Sequence, residues 1–310
     1  MTRAMVLCAG LGTRLRPLTD HLPKPLLPLG DRPILAHITG TLAAFGFRSA
    51  VVNAYHRAQM IVDFAAASHE GGFEVYTSVE QSLLGTAGGL RLASPQLQWP
   101  VISWNGDIWT QPPLAALLAR DAEHAICLVV APARDRGTVG LDEKGHVVRL
   151  RGEQFGVEQR GVDYIGILSL RDDCRQSLPE HGCLIADVCL PLLRRGGTIA
   201  TLESPEPWFD IGSARGYWAA TRHWLATRDP NAATARWPWP DSYLAPGVNL
   251  APGVSVEQSV IGANAEVSGQ GVIRRCILLP GAQAQAPLAD VIVLPDGSMV
   301  SHTADAGSAA

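Results

Sequence analysis

Leu7-Cys8-Ala9-Gly10-Leu11-Gly12-Thr13-Arg14-Leu15-Arg16-Pro17-Leu18-Thr19, followed closely by Leu22-Pro23-Lys24-Pro25-Leu26, joins a short apolar segment to a glycine loop and then to a set of cations. Residues 4–9 read as a buried strand that ends in Gly10-Leu11-Gly12. A glycine loop after a strand lets the backbone approach a phosphate chain closely, and its N–H groups can donate to phosphate oxygens. Arg14 can fork onto the β and γ phosphates of a triphosphate. Lys24, pinned between two prolines, supplies a positioned cation for a phosphoryl group under attack. Two familiar alternatives fail on the residues. A dinucleotide fingerprint needs a third glycine where Leu15 stands, and a P-loop needs Gly-Lys-Ser/Thr after the loop.

Outward from this loop, apolar stretches recur at 50–54, 73–76, 100–104, 126–131 and 165–170. Between several of them lie segments of helical spacing at 34–45, 58–67, 88–92 and 113–120. Strand alternating with helix predicts an α/β domain, Rossmann-like, with a mostly parallel sheet covered on both faces. Ligands bind such sheets at the carboxyl ends of the strands, where the glycine loop falls. The stretch 229–241 breaks the pattern with three prolines and two tryptophans, so a catalytic domain over 1–228 and a linker over 229–242 are expected. Beyond it Val248, Val254 and Val260 are six apart and Ala-Pro-Gly recurs at 245 and 251. That periodicity predicts a short C-terminal left-handed β-helix over 243–300. Glu266 stands where the phase wants an apolar residue, 282–287 fits badly, and a disordered tail is expected over 301–310.

With 47% hydrophobic and 17% charged residues among 310, the chain can bury a large core, and no apolar run approaches the length of a membrane span. The N-terminus lacks the pattern of a signal peptide, which points to a cytoplasmic protein. Six scattered cysteines, with no C-x-x-C pair, predict reduced thiols rather than disulfides or a zinc site. A net charge of −4 gives no general attraction for nucleic acid or an anionic membrane.

The loop and its proline-flanked lysine resemble the nucleoside-diphosphate-sugar pyrophosphorylase family (sugar-1-phosphate nucleotidyltransferases, EC 2.7.7 type). Further matches are Val52-Asn53-Ala54-Tyr55-His56, Leu84-Gly85-Thr86-Ala87-Gly88-Gly89, Asn105-Gly106-Asp107 and Trp208-Phe209-Asp210-Ile211-Gly212. The resemblance covers roughly the first 220 residues. It implies nucleotide contacts at Leu7, Ala9, Gly10, Gly12, Thr13, Arg14, Gly85, Thr86 and Asp107. It implies catalytic roles for Arg14 and Lys24, and Mg²⁺ on Asp107 and Asp210. That cation prefers carboxylate, phosphate and water oxygens. Trp109, Glu158, Tyr164 and Gly166 are the candidates for the sugar. Where many relatives carry Glu-Lys-Pro, this chain has Arg151-Gly152-Glu153, which removes a second phosphate-contacting lysine.

The implied substrates are a nucleoside triphosphate and a sugar 1-phosphate, whose anionic oxygen can attack the α-phosphorus in line without an enzyme nucleophile. Asn105-Gly106-Asp107-Ile108-Trp109 resembles the N-acetylmuramic acid 1-phosphate uridylyltransferases, while Leu-Gly-Thr-Ala-Gly and the hexapeptides resemble mannose-1-phosphate guanylyltransferases. The active-site match tilts the choice of base to UTP over GTP. A hexapeptide acyltransferase would need a histidine between coils, and the segment 243–300 has none before His302 in the expected tail. A non-catalytic nucleotide-sugar-binding regulator would be expected to lack part of the Arg14, Lys24, Asp107 and Asp210 set. A β-helix also suggests a homo-oligomer.

Overall fold

The computed structural model describes residues 2–68, 72–120, 124–229 and 238–303. Most of the stretch expected as a linker, 230–237, lies outside them, as does 304–310 of the expected tail. The chain divides into two units, one of Met1–Leu11 with His37–Trp208 and one of Gly12–Ala36 with Phe209–Ala310.

The first unit is built on a ten-stranded sheet. At its centre Thr2–Leu7 runs parallel to both Leu97–Asn105 and Ser49–Ala54, and Glu74–Val79 continues the parallel run to one edge. Ser49–Ala54 is buried along its whole length, as a strand covered on both faces must be. The helices Ile34–Ala44, Ala58–Ala67, Gly85–Ala93 and Leu114–Arg120 fall on the stretches of helical spacing. The third begins at Gly85, so the glycine-rich motif is the first turn of a helix rather than a free loop.

The sheet is mixed. Arg160–Leu170 runs antiparallel to Leu97–Asn105 on one side and to Ile126–Pro132 on the other. Its first residues also pair with Val139–Leu141, the start of a hairpin completed by Val147–Leu150. The pairing with Ile126–Pro132 slips between Tyr164 and Ile167, and Gly166 sits in that bulge with φ +78°. A glycine is needed there because the left-handed region is costly for other residues. Met5, Val51, Leu128, Leu168 and Leu184 belong to one continuous buried core.

In the second unit, short strands stack in parallel. Tyr243–Leu244 pairs with Val260–Ile261, which pairs with Ile277–Leu278, each step seventeen residues along the chain. On a second face Asn249–Leu250 and Val254–Glu257 both pair with Glu266–Arg274, again seventeen residues on. The sixfold phase of the sequence therefore slips by one residue per turn. The inward residues near position 266 are Ala265 and Val267, both buried, and Glu266 faces solvent. The segment that fitted badly is a full strand, Gln283–Ala289, with Ala284 and Ala286 turned inward by strict alternation. Two residues of the expected tail, 301 and 302, belong to the fold. Ser301 ends the strand Met299–Ser301, and His302 is buried, stacked on Trp218 at 4.5 Å between ring centroids.

The seventeen-residue register makes a paired prediction. Ala265→Glu places a charge in the stack interior and should cost more than about 3 kcal/mol. Glu266→Ala should change stability by less than about 0.5 kcal/mol. Urea unfolding of the two variants measures both.

Candidate functional site

In the first unit, Leu7 and Asn105 end adjacent parallel strands and are register partners. The Gly106 amide donates to the Leu7 carbonyl at 2.9 Å, and the Trp104 indole N–H donates to the Ile108 carbonyl at 2.9 Å. Two hydrogen bonds thus close the turn that carries Asp107 onto the end of the first strand. Trp104 is fully buried and serves this turn; Trp109 is half-buried and meets His37 edge-on at 5.9 Å. The bulge glycine Gly166 lies directly beneath Asn105, whose amide nitrogen would be 2.7 Å from a Cβ there. Ala9 is buried and Gly10 exposed beside this strand end.

A buried polar chain braces the same edge. The Cys8 amide donates to Asn53 Oδ1 at 2.6 Å, and Asn53 Nδ2 donates to Glu80 Oε1 at 2.7 Å. Glu80 Oε2 accepts from the Leu84 amide at 3.0 Å. Glu80 is 4% exposed, so its carboxylate joins two strand ends to the start of the helix Gly85–Ala93. Sequence reasoning missed Glu80, because nothing in a linear pattern pairs it with Asn53, twenty-seven residues earlier. Thr86 is engaged too: its hydroxyl accepts from the Leu184 amide at 2.8 Å, and the Ala87 amide donates to Gly182 O at 2.9 Å. Gly85 is exposed beside them.

In the second unit, Gly12 has φ +64°, and its carbonyl accepts from the buried Thr19 hydroxyl at 2.9 Å. Thr13 and Arg14 open a 3₁₀ turn, Thr13–Leu15, and both are exposed while Leu15 is buried. Lys24 opens a second such turn, Lys24–Leu26, and is half-buried. Asp210 precedes the helix Ala214–Thr227, whose cap is Ser213, with its hydroxyl accepting from the Gly216 amide at 3.1 Å. Asp210 and Arg14 meet around Gly212: a Cβ on that residue would lie 2.7 Å from Asp210 Oδ1 and 2.8 Å from Arg14 Nη2. The bare backbone at Gly212 is thus what lets carboxylate and guanidinium share this place.

Among the described residues no three His, Cys, Asp or Glu side chains gather as a metal cage. One or two carboxylates, with substrate phosphates and water, are what Mg²⁺ requires; Asp107 in the first unit and Asp210 in the second each carry a carboxylate.

Of the sugar candidates, Glu158 is committed to Arg149, which is 6% exposed. The bidentate pair has Nε–Oε2 at 2.7 Å and Nη2–Oε1 at 2.9 Å. The hydrogen bond from Arg149 holds the Glu158 carboxyl below its ordinary range. Tyr164 packs against the core, and burial, with the Cys189 and Cys183 thiols nearby, pushes its phenol well above its ordinary range. Glu153 pairs with Arg194 on the surface. All six cysteines are free thiols, five of them buried. Burial raises the Cys8 thiol, with a contribution from the Asp107 carboxylate. Burial likewise pushes Cys174 up to about 11.

These features place the first unit among α/β proteins whose ligand edge lies at the carboxyl ends of parallel strands. Residues 3–151 match the model of the family described as Nucleotidyl transferase. The chain is 28% identical over 241 residues to a mannose-1-phosphate guanyltransferase of Schizosaccharomyces pombe, an alignment covering 73% of this chain and 65% of that protein. With the mannose-1-phosphate guanyltransferase of Yarrowia lipolytica the identity is 26% over 260 residues, covering 79% and 70%. The chain spans 62–65% of the length of the S. pombe, Pichia angusta and Aspergillus oryzae relatives. Among solved structures, HddC from Yersinia pseudotuberculosis complexed with GMP-PN superposes with a TM-score of 0.62 at 21% identity, covering 72% of this chain and all of that one. A UDP-glucose pyrophosphorylase from Acinetobacter baumanii gives 0.61 at 17%, covering 74% and 95%. Both similarities concern the fold. Among the described residues no helix is long and apolar enough to cross a membrane.

Two outcomes follow from the burial pattern. Iodoacetamide at pH 8 should label Cys183, the half-buried thiol, well before Cys8, Cys174 or Cys189, as peptide mapping would show. Because the Glu158 carboxyl titrates lower when folded, its pairing stabilises the protein above the unfolded value of about 4.3 and is lost as pH falls through the folded value. Glu158→Gln should therefore be less stable than the parent at pH 7, and the gap should shrink toward pH 3 in urea unfolding.

Proposed function

We propose that this chain is a sugar-1-phosphate nucleotidyltransferase, joining a nucleoside triphosphate to a sugar 1-phosphate with release of pyrophosphate. The observation that carries the reading is the Asp107 turn, hydrogen-bonded onto the strand end from which the Gly10-Leu11-Gly12-Thr13 loop departs, inside the stretch that matches the family. Its backbone amides and Arg14 would take the phosphates that leave as pyrophosphate. Lys24, its backbone set by Pro23 and Pro25, would neutralise the attacking and attacked phosphates. Asp107 and Asp210 would hold Mg²⁺, which supplies charge neutralisation on the triphosphate. Since the attacking oxygen is already anionic, positioning and charge carry the acceleration and no general base is required.

For the base, similarity to mannose-1-phosphate guanyltransferases favours GTP ahead of the UTP suggested by the strand-end motif. The seventeen-residue parallel register supports reading residues 243–300 as a β-helix, left-handed as the hexapeptide spacing suggests. A regulator that binds without turnover is the second reading, favoured by the partial coverage of the curated relatives.

Pyrophosphate release with Mg²⁺, across five nucleoside triphosphates and a panel of sugar 1-phosphates, tests the proposal. Lys24→Ala should lower kcat by about 10²–10³-fold or more. Asp107→Asn and Asp210→Asn should each raise the Mg²⁺ concentration needed for half-maximal rate. A folded protein that binds nucleotide yet releases no pyrophosphate with any sugar would support the regulator instead.

A further inference from the structure

Among the described residues, one arginine beyond a strand end of the first unit has a built seat and no ionic partner. Arg134 follows the strand Ile126–Pro132, and its guanidinium carbon lies 4.4 Å from the centre of the Trp208 ring. Stacking occupies the face of a guanidinium and leaves its edge N–H donors outward. Among the described residues no carboxylate pairs with that side chain.

The edge follows from strand direction. Ile126–Pro132 and Leu97–Asn105 both run antiparallel to Arg160–Leu170, and Ile167 pairs with Val129 on one side and Trp104 on the other. Pro132 and Asn105 therefore leave the sheet at the same end. Trp208 reaches this end by its own route. Ala200–Glu203 runs parallel to Ile126–Pro132, and the Thr110 hydroxyl, three residues beyond Asp107, donates to the Pro207 carbonyl at 3.0 Å. With one strand between them, the two strands lie ~10 Å apart, and Pro132 ends about two residues beyond the level of Asn105.

The segment that carries Arg134 is fixed rather than loose. The Asp163 carboxylate accepts from the Arg134 amide at 3.2 Å and the Thr138 amide at 3.1 Å. Thr138 Oγ1 accepts from the Tyr164 amide at 2.8 Å. Buried Arg149 donates to the Gly137 carbonyl at 3.1 Å and the Arg136 carbonyl at 3.3 Å. Gly161 packs so closely that a Cβ there would lie 1.8 Å from the Arg136 carbonyl oxygen. The Arg149–Glu158 pair thus acts as a positioning element for the loop.

We infer that Arg134, seated on Trp208, is a specificity-determining residue that takes an anionic substituent, a carboxylate or a phosphate, on the sugar at a carbon remote from the anomeric phosphate. This rests on the sugar-1-phosphate reading above. A guanidinium edge offers parallel N–H donors that match either oxyanion in bidentate fashion, and a neutral hydroxyl cannot use them equally.

The test uses sugar pairs that differ in the anionic group: glucuronic acid 1-phosphate and glucose 1,6-bisphosphate, each against glucose 1-phosphate, and N-acetylmuramic acid 1-phosphate against N-acetylglucosamine 1-phosphate. Calorimetric affinity and steady-state kinetics are measured on the full chain and on Arg134→Gln and Arg134→Lys. At least one acidic sugar should bind tenfold or more tightly than its neutral counterpart. Arg134→Gln should erase that ratio by raising KM for the acidic member much more than for the neutral one, and Arg134→Lys should keep part of it. The carboxylate and bisphosphate arms show which anion is read. Equal affinity within every pair, or an equal loss for acidic and neutral members in Arg134→Gln, would overturn the inference. If no sugar releases pyrophosphate, the reaction fails, while a calorimetric preference lost in Arg134→Gln would still uphold the anion seat.

Discussion

The pairing of Leu7 with Asn105, sealed by the 2.9 Å hydrogen bond from the Gly106 amide to the Leu7 carbonyl, is the constraint on which the first unit's ligand edge depends. It brings two strand ends, ninety-eight residues apart in sequence, to one place. Parallel strands leave their final carbonyls and the following amides pointing outward together, so a glycine loop and a carboxylate-bearing turn can share an edge. Trp104 repays its burial by closing the Asp107 turn through its indole N–H. A large aromatic in this position thus holds the turn through a hydrogen bond as well as by packing.

Rigidity at this edge comes from polar groups buried in pairs. Glu80 and Asn53 would be costly inside a sheet if either lacked a partner, yet together with the Cys8 and Leu84 amides they satisfy one another. The same logic holds for Arg149 and Glu158, where a nearly inaccessible guanidinium meets a carboxylate and two loop carbonyls. Both networks fix loops that leave the sheet, which is where a precise site needs order and where apolar packing is thin.

The second unit solves a different problem. Its strands are as short as two residues and would not hold as isolated pairs. Stacking at a seventeen-residue step instead buries Leu244, Ile261 and Leu278 in one continuous interior. Tyr217 donates to the Pro28 carbonyl, which ties the segment after Lys24 to the helix that follows Asp210. His302 on Trp218 binds the end of the stack to that same helix.

The sequence alone determined the first unit's alternation of strand and helix, since burial on both faces demands apolar runs such as 50–54 and the helical spacing of 58–67 survives any tertiary context. It also determined the glycine loop, because the positive φ of Gly12 is a local property that residue choice records. Tertiary structure decided what local pattern cannot encode. The seventeen-residue register depends on which residues stack across turns, so the sixfold spacing of Val248, Val254 and Val260 misled beyond the third of them. The long antiparallel strand, the Asn53–Glu80 pair, the Asp210–Arg14 meeting at Gly212 and the seat of Arg134 on Trp208 all join residues distant in the chain. Such partners are chosen by the packing of whole elements, and hydrophobic periodicity reports only which face of an element is buried, not what lies against it.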